Sequence, residues 1–146
     1  IANSISRFIQ LTRDCPSSNP SGFMPLLDLQ VQVKNNKVLH VFYKKAVSNP
    51  LLISKNSAMP YKTKRASLSC EALRRLRNCS RELPWAQKAE ILSEFSHKLM
   101  LSGWDAEARH DFIMAGVTGY KKQLERADAG VCPHVQALGL GQRGEG

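Results

Sequence analysis

Residues 27–43 decide the fold, and they read LDLQVQVKNNKVLHVFY. Apolar and polar side chains alternate through the first half of this stretch, which is the pattern of a half-buried strand. Asn35 and Asn36 supply a turn, because asparagine tolerates a left-handed backbone better than most residues. The β-branched and aromatic run from Val38 to Tyr43 predicts the return strand. The stretch therefore predicts a β-hairpin.

A two-stranded hairpin is only marginally stable in water by itself. This hairpin therefore needs a neighbour, either the helices predicted further along or a sheet in an absent part of the protein. At 146 residues the chain allows one ordinary domain or two small halves. It begins at Ile1 without an initiator methionine, and it shows no signal peptide and no bilayer-spanning apolar run. We expect a fragment of a longer, intracellular polypeptide.

The apolar period changes to that of a helix after a polar, proline-containing connector. From about Thr63, the side chains of Cys70, Leu73 and Leu76 recur at helical spacing, while arginines occupy the other faces. This pattern predicts a basic amphipathic helix that ends near Cys79.

Further helices are predicted downstream. A second helix is expected to begin at Pro84, since proline suits the first helical position. Asp105 is expected to cap a third helix through its side chain. Gly116 and Gly119 are expected to interrupt that helix, so that residues 120–129 form a fourth helical segment.

The order of these elements predicts an α+β fold: an N-terminal β-hairpin, a basic connector and a bundle of three to four helices. Three regions are expected. They are a hairpin region at 1–45, a basic helical region at 46–130, and a glycine-rich tail at 131–146 that is expected to be disordered.

Positive charge is concentrated between Lys34 and Arg81. Twelve basic residues against a single acid, Glu71, give this basic stretch a net charge of +11, whereas the whole chain carries +9. A concentrated positive field attracts polyanions, and nucleic acid is the commonest of them. The alternative is a solvated basic surface that serves solubility.

Ten residues of the basic stretch are candidate nucleic-acid contacts. Its cations can neutralise phosphates, which gives affinity without sequence information. Tyr43 and Tyr61 lie beside these charges and can stack on a base or sugar, or can form the rim of a core. The candidates are Tyr43, Lys44, Lys45, Lys62, Lys64, Arg65, Arg74, Arg75, Arg77 and Arg81.

The isolated chain is predicted not to be an enzyme and to hold no cofactor or metal. Metal-dependent nucleotidyl transfer requires paired carboxylates. The densest acids, Asp105, Glu107 and Asp111, suit helix capping and dipole compensation better than a metal site. No Ser-His-acid, Cys-His or phosphate-loop motif is found. The four cysteines lack zinc-site spacing and are expected to be reduced thiols.

Five short motifs follow one another in the middle of the chain. They are Pro25–Leu29 (PLLDL), Val41–Ala46 (VFYKKA), Ser57–Arg65 (SAMPYKTKR), Arg74–Ser80 (RRLRNCS) and Leu101–Trp104 (LSGW). In order and spacing they resemble the region that follows the catalytic palm motifs of Penelope-like retroelement reverse transcriptases. Two positions depart from that pattern, since Lys44 replaces an arginine and Ala46 replaces a proline. These changes affect the geometry of the exit from the strand more than its charge.

This resemblance implies that the hairpin is the end of a polymerase palm and that the helices form a thumb-like, helix-turn-helix-like region. Such a region would hold the template–primer duplex, RNA or DNA, by its backbone. The catalytic aspartates of the Tyr-x-Asp-Asp motif and their Mg²⁺ would lie upstream, so this fragment would bind without polymerising. Its other expected partner is the missing N-terminal palm of the same polyprotein. No membrane partner is expected, and the nucleus is the expected location.

Three alternatives remain open from the sequence. The first is a free-standing helix-turn-helix protein that reads bases with Arg74, Arg75 and Asn78. The second is a scaffold domain whose basic surface binds an acidic protein. The third is a retroelement remnant without a selected function.

Overall fold

The computed structural model of the protein describes residues 22–43 and 52–130. The chain divides into two compact units. The sheet unit comprises Ile1–Ser48 and Asn78–Pro84, and the helical unit comprises Asn49–Arg77 and Trp85–Gly146. The predicted C-terminal tail lies outside the described residues.

Three antiparallel strands, in the order β1-β2-β3, form the sheet. Their bounds are β1 Met24–Leu26, β2 Leu29–Lys34 and β3 Lys37–Phe42. The predicted hairpin is confirmed as β2 and β3, which are joined at Asn35 and Asn36 with positive φ values of 51° and 58°. Two successive left-handed residues are typical of the tight turn that matches the twist of a hairpin.

Strand β1 was not predicted from the sequence. It has three residues, including Pro25, and pairs with β2 through a reversal at Leu27, whose φ is 57°. Three residues are too few to establish an alternating pattern. Proline cannot donate to the ladder, which suits this strand to the edge of the sheet.

The loop between the first two helices belongs to the sheet unit, where Ser80 contacts β3. The backbone N–H of Ser80 donates to the carbonyl oxygen of His40 at 2.8 Å, and the N–H of His40 donates to Ser80 Oγ at 2.7 Å. Ser80 Oγ also lies 3.1 Å from His40 Nδ1. The outer edge of β3 is therefore occupied at His40, so the hairpin has a neighbour within its own unit.

Three helices follow the sheet, so the predicted α+β fold is confirmed. They are α1 Tyr61–Arg77, α2 Trp85–Leu101 and α3 Ala106–Asp128. Asp105 caps α3 as predicted, because its Oδ1 accepts the N–H of Ala108 at 2.9 Å. In the described residues, no helix combines the length and the apolar character needed to cross a bilayer.

The predicted break at Gly116 and Gly119 is wrong, because α3 continues through both glycines. A Cβ at Gly116 would lie 2.6 Å from the Cβ of Ala72 and 2.9 Å from the backbone N of Leu73. The missing side chain therefore lets α3 pack closely against α1. The cost of glycine in a helix, about 1 kcal/mol relative to alanine, is offset by this contact.

The core of the helical unit is centred on Phe95 and Phe112, which are fully buried. Trp104 packs edge-on against Phe112 with 4.9 Å between ring centroids. Its indole N–H donates to the carbonyl oxygen of Ile53 at 2.9 Å. This bond attaches the segment that precedes α1 to the helices. A second buried cluster contains Leu76, Val117 and Tyr120.

Candidate nucleic-acid interface

One long side of α1 faces solvent, and we call it the α1 face. It has cations near both ends and small or short side chains between them, and it is about 22 Å long at the usual helical rise. The α1 face consists of Lys62, Thr63, Ala66, Ser67, Cys70, Arg74 and Arg77.

Lys62 and Arg77, the two outermost cations of the α1 face, are exposed. Neither forms an ion pair with another residue in the described parts of the chain. Arg77 lies in the last turn of α1, where a positive charge also interacts favourably with the helix dipole. Both side chains can therefore neutralise an external anion without first losing a carboxylate partner.

Arg65 lies beside the α1 face and is held by α3. Its Nε donates to Asp111 Oδ2 at 2.6 Å and its Nη2 donates to Asp111 Oδ1 at 2.9 Å. These hydrogen bonds raise the pKa of the Arg65 guanidinium and lower the pKa of the Asp111 carboxyl. The two residues are 46 positions apart in sequence, so local charge patterns gave no sign of the pair.

Glu71 binds both Arg74 and Arg75. Arg74 donates from Nε and Nη2 at 2.7 and 3.0 Å, and Arg75 donates from Nε at 3.0 Å. Burial opposes ionisation of Glu71, but the hydrogen bonds and charges of both arginines lower its pKa on balance. Glu71 therefore neutralises part of the charge that the sequence placed in α1.

Arg75 is part of the packing between helices. Its residue exposure is 3%, and its guanidinium carbon lies 4.7 Å from the centroid of the Phe95 ring. Burial lowers the pKa of Arg75, against the opposite influence of Glu71. Arg75 therefore contacts the interior of the helical unit and does not belong to the α1 face.

Lys64 is also buried, with 5% exposure. Its ammonium donates to the carbonyl oxygens of Lys55 and Ser57 at 2.6 and 2.7 Å. The sequence assigned Lys64 to a nucleic-acid surface, whereas the structure uses its charge to hold the segment before α1. Helical periodicity explains the difference, because Lys64 and Arg75 lie on the side of α1 that also carries Leu68.

The remaining predicted contacts belong to the sheet unit. Tyr43 is half-buried, and its N–H donates to the carbonyl oxygen of Asp28 at 2.8 Å. Arg81 is exposed in the loop after α1. Lys44 and Lys45 lie outside the described residues. The candidate set is therefore divided between two units, and the α1 face unites Lys62, Arg74 and Arg77.

Lys122, on α3, is a further exposed cation that was not among the residues predicted from the sequence. Arg65 contacts Asp111 near the start of both helices, and Leu76 packs with Tyr120 further along, so α1 and α3 run parallel. Lys122 is eleven positions, about three turns, after Asp111 and so lies on the same side of α3. It is exposed and level with the end of α1.

Lys121 differs from Lys122 in position, although the two are adjacent in sequence. It lines an apolar groove between α2 and α3, together with Trp85 and Met114. The signal that could have separated the two lysines is helical phase relative to Asp111. That signal has meaning only once the Arg65–Asp111 pair is known.

The N-terminal ends of α1 and α3 carry charges of both signs. An open cleft of about 470 Å³ lies between the N-terminal ends of α1 and α3. Its lining combines the aromatic rings of Tyr61 and Trp104 with two lysines and three carboxylates, which are Lys55, Lys64, Asp105, Glu107 and Asp111. Ion pairs with Lys55 and Arg65 neutralise Asp105 and Asp111, so this end of the unit repels phosphate less than three free carboxylates would.

Asp105 in this cleft is paired with Lys55, whose ammonium lies 2.8 Å from Oδ2. This hydrogen bond, with the backbone N–H of Ala108 as the second contribution, lowers the pKa of Asp105 to about 2. Asp105 therefore has two structural roles, as the cap of α3 and as the partner of Lys55.

No cluster of three or more His, Cys, Asp or Glu side chains that could hold a metal occurs in residues 22–43 and 52–130. The contact between Ser80 and His40 holds the loop after α1 against β3, since Ser80 is only 3% exposed and its Oγ accepts the backbone N–H of His40. No family model matches the chain, and comparisons with curated proteins and with solved structures found no match either.

Proposed function

We propose that this chain binds the sugar–phosphate backbone of duplex nucleic acid through the α1 face and Lys122. The observation that carries the proposal is the pair of exposed cations, Lys62 and Arg77, at the two ends of a helix face that is otherwise small and uncharged at its centre. A helix face of this length runs beside about six phosphates of one strand, given one phosphate per ~3.4 Å.

The chemistry of the α1 face favours backbone contact over base reading. Thr63, Ala66, Ser67 and Cys70 have short side chains, which allow close approach but reach poorly into a groove. Base reading requires longer forked or amide side chains at the centre of the helix. Arg75, one of three candidates for base reading in a helix-turn-helix, is buried.

The resemblance to Penelope-like reverse transcriptases supports a more specific version of this proposal. In that version the chain is the carboxy-terminal, thumb-like fragment of such an enzyme, and its duplex is a template–primer. Polymerisation would require the catalytic aspartates of the Tyr-x-Asp-Asp motif and their Mg²⁺, which would lie in the upstream part of the palm. The palm would then be its protein partner, and the nucleus its place of action.

A salt titration tests the proposal directly. Fluorescence anisotropy is measured for the 146-residue chain with a labelled 20-base-pair RNA–DNA hybrid and with DNA duplex of the same sequence. Each phosphate neutralised contributes about −0.9 to the log–log slope of affinity against salt, so contacts from Lys62, Arg77 and Lys122 together predict a slope of about −3. Absence of binding to either duplex at low salt would rule the function out.

Two added arms separate the alternatives. Selection from random duplexes that returns one strongly preferred site would favour the helix-turn-helix protein. Competition by acidic peptides, with no effect of duplex, would favour the scaffold domain. Indifference to sequence together with a steep salt dependence supports the backbone-binding proposal.

A further inference from the structure

Two arginines at the interface are held by carboxylates in the geometry that a phosphate would adopt. Arg65 makes two parallel hydrogen bonds to Asp111 at 2.6 and 2.9 Å, and Arg74 makes two to Glu71 at 2.7 and 3.0 Å. This bidentate fork is the arrangement by which arginine recognises carboxylate or phosphate. The carboxylates therefore occupy the binding atoms that duplex would need.

The pair between Arg65 and Asp111 is accessible to an incoming anion. Their side chains are 47% and 42% exposed. Exposed ion pairs are weak, because water and salt screen both charges. The contrast is Arg75, whose side chain is 3% exposed and whose guanidinium is buried against Phe95. Arg65 can exchange partners, whereas Arg75 cannot do so without unpacking the helices.

We propose that Asp111 is a built-in competitor for the nucleic-acid site, and that a backbone phosphate replaces its carboxylate on Arg65 when duplex binds. This inference rests on the proposed function and describes its regulation. Free chain holds Arg65 on α3, which lowers the positive field beside Lys62. In the bound chain, the Arg65 guanidinium donates its hydrogen bonds to the phosphate, and the Asp111 carboxylate is exposed to water.

Asp111 offers a cleaner test than Glu71. Removing the charge of Glu71 would also take a partner from buried Arg75, which would disturb the packing. Asp111 pairs with Arg65 at the surface, so Asp111→Asn releases the exposed arginine and keeps the size of the side chain. Glu107→Gln is the matched control, because it removes one negative charge from the same helix, one turn away, at a residue with no ion-pair partner in the described chain.

The experiment compares the affinity of the full chain for a labelled DNA duplex at low salt. Asp111→Asn is expected to bind about two- to fivefold more tightly than the wild type, the range that corresponds to an exposed ion pair. Glu107→Gln is expected to show a smaller gain, from net charge alone. Arg65→Gln is expected to cost more affinity in the Asp111→Asn background than in the wild type, because only there is the arginine free from the start.

A second measurement uses the unmodified protein and so does not depend on the stability of a variant. The Nε–H signal of Arg65 in a nitrogen–proton correlation spectrum is expected to shift when duplex is added, while that of Arg75 stays in place. Equal affinity of Asp111→Asn and Glu107→Gln, or an Arg65 signal that does not move, would overturn the exchange even if the wild type binds. Failure of the wild type to bind duplex would instead overturn the proposed function.

Discussion

Gly116 is a residue at which α3 packs closely against α1. The space that a Cβ would need there is filled by Ala72 and by the backbone of Leu73. At Gly119, by contrast, a Cβ would lie at ordinary distances of 3.5 and 3.7 Å from the Leu73 side chain. The two positions carry the same residue, but only at Gly116 is the space for a side chain already filled.

Gly116→Ala is therefore expected to lower the free energy of unfolding by about 1–3 kcal/mol, the usual cost of overpacking. Gly119→Ala is the control and is expected to be neutral or stabilising by up to ~1 kcal/mol, since alanine favours the helix. Urea denaturation of both variants measures the difference. Equal destabilisation by both would contradict the packing described for Gly116.

Asp105 gives a prediction about acid. Its pKa in the folded protein, about 2, lies below the ordinary value of 3.8. A depressed carboxyl pKa stabilises the fold above the ordinary value, and this stability is lost as the pH falls through the folded value. Asparagine retains the ability to cap α3 but cannot form the ion pair with Lys55.

Wild type is therefore expected to unfold at higher urea than Asp105→Asn at pH 6, and the gap is expected to close between about pH 4 and pH 2. The midpoints of urea unfolding at several pH values measure this gap. In a Lys55→Gln background the same substitution should have less effect at pH 6. A gap that widens in acid would refute the assignment.

At the scale of elements, the sheet is connected to the loop between α1 and α2 through Ser80 and His40. Ser80→Ala removes the acceptor of the His40 N–H and the contact with the imidazole. The expected loss is about 1–2 kcal/mol, because the part-buried N–H of His40 is left without its acceptor. Amide hydrogen exchange of His40 should become faster. Ser67→Ala, at an exposed position of α1, is the control and should leave that exchange unchanged.

Local elements of this fold were predictable, because their signals lie within a few residues. The alternation of residues 27–43 predicted the hairpin, and Asp105 predicted the start of α3. The predicted helix break at Gly116 was wrong, because this glycine makes room for Ala72 and Leu73 of α1, which lie far from it in sequence. The contacts of Ser80 with His40 and of Arg65 with Asp111 join residues 40 and 46 positions apart, which no local pattern reveals.

At the scale of the whole molecule, net charge in sequence and charge available at the surface differ. The basic stretch counts +11 because Glu71 is its only acid. In the folded chain, Asp105 and Asp111 come from outside this stretch and pair with Lys55 and Arg65. Lys64 and Arg75 are buried, so the charge available in the described helical unit is smaller and more localised than the count suggests. The exposed cations of α1 that remain lie mainly on the α1 face.

The neighbouring lysines Lys121 and Lys122 test this localisation most directly. Each is changed to glutamine in the full chain, which gives two variants of equal net charge, and the salt dependence of duplex binding is measured by fluorescence anisotropy. Lys122→Gln, like Lys62→Gln and Arg77→Gln, is expected to make the log–log slope shallower by about 0.9. Lys121→Gln, on the groove between α2 and α3, is expected to leave it unchanged. Equal effects of Lys121→Gln and Lys122→Gln would contradict a nucleic-acid interface on the α1 face.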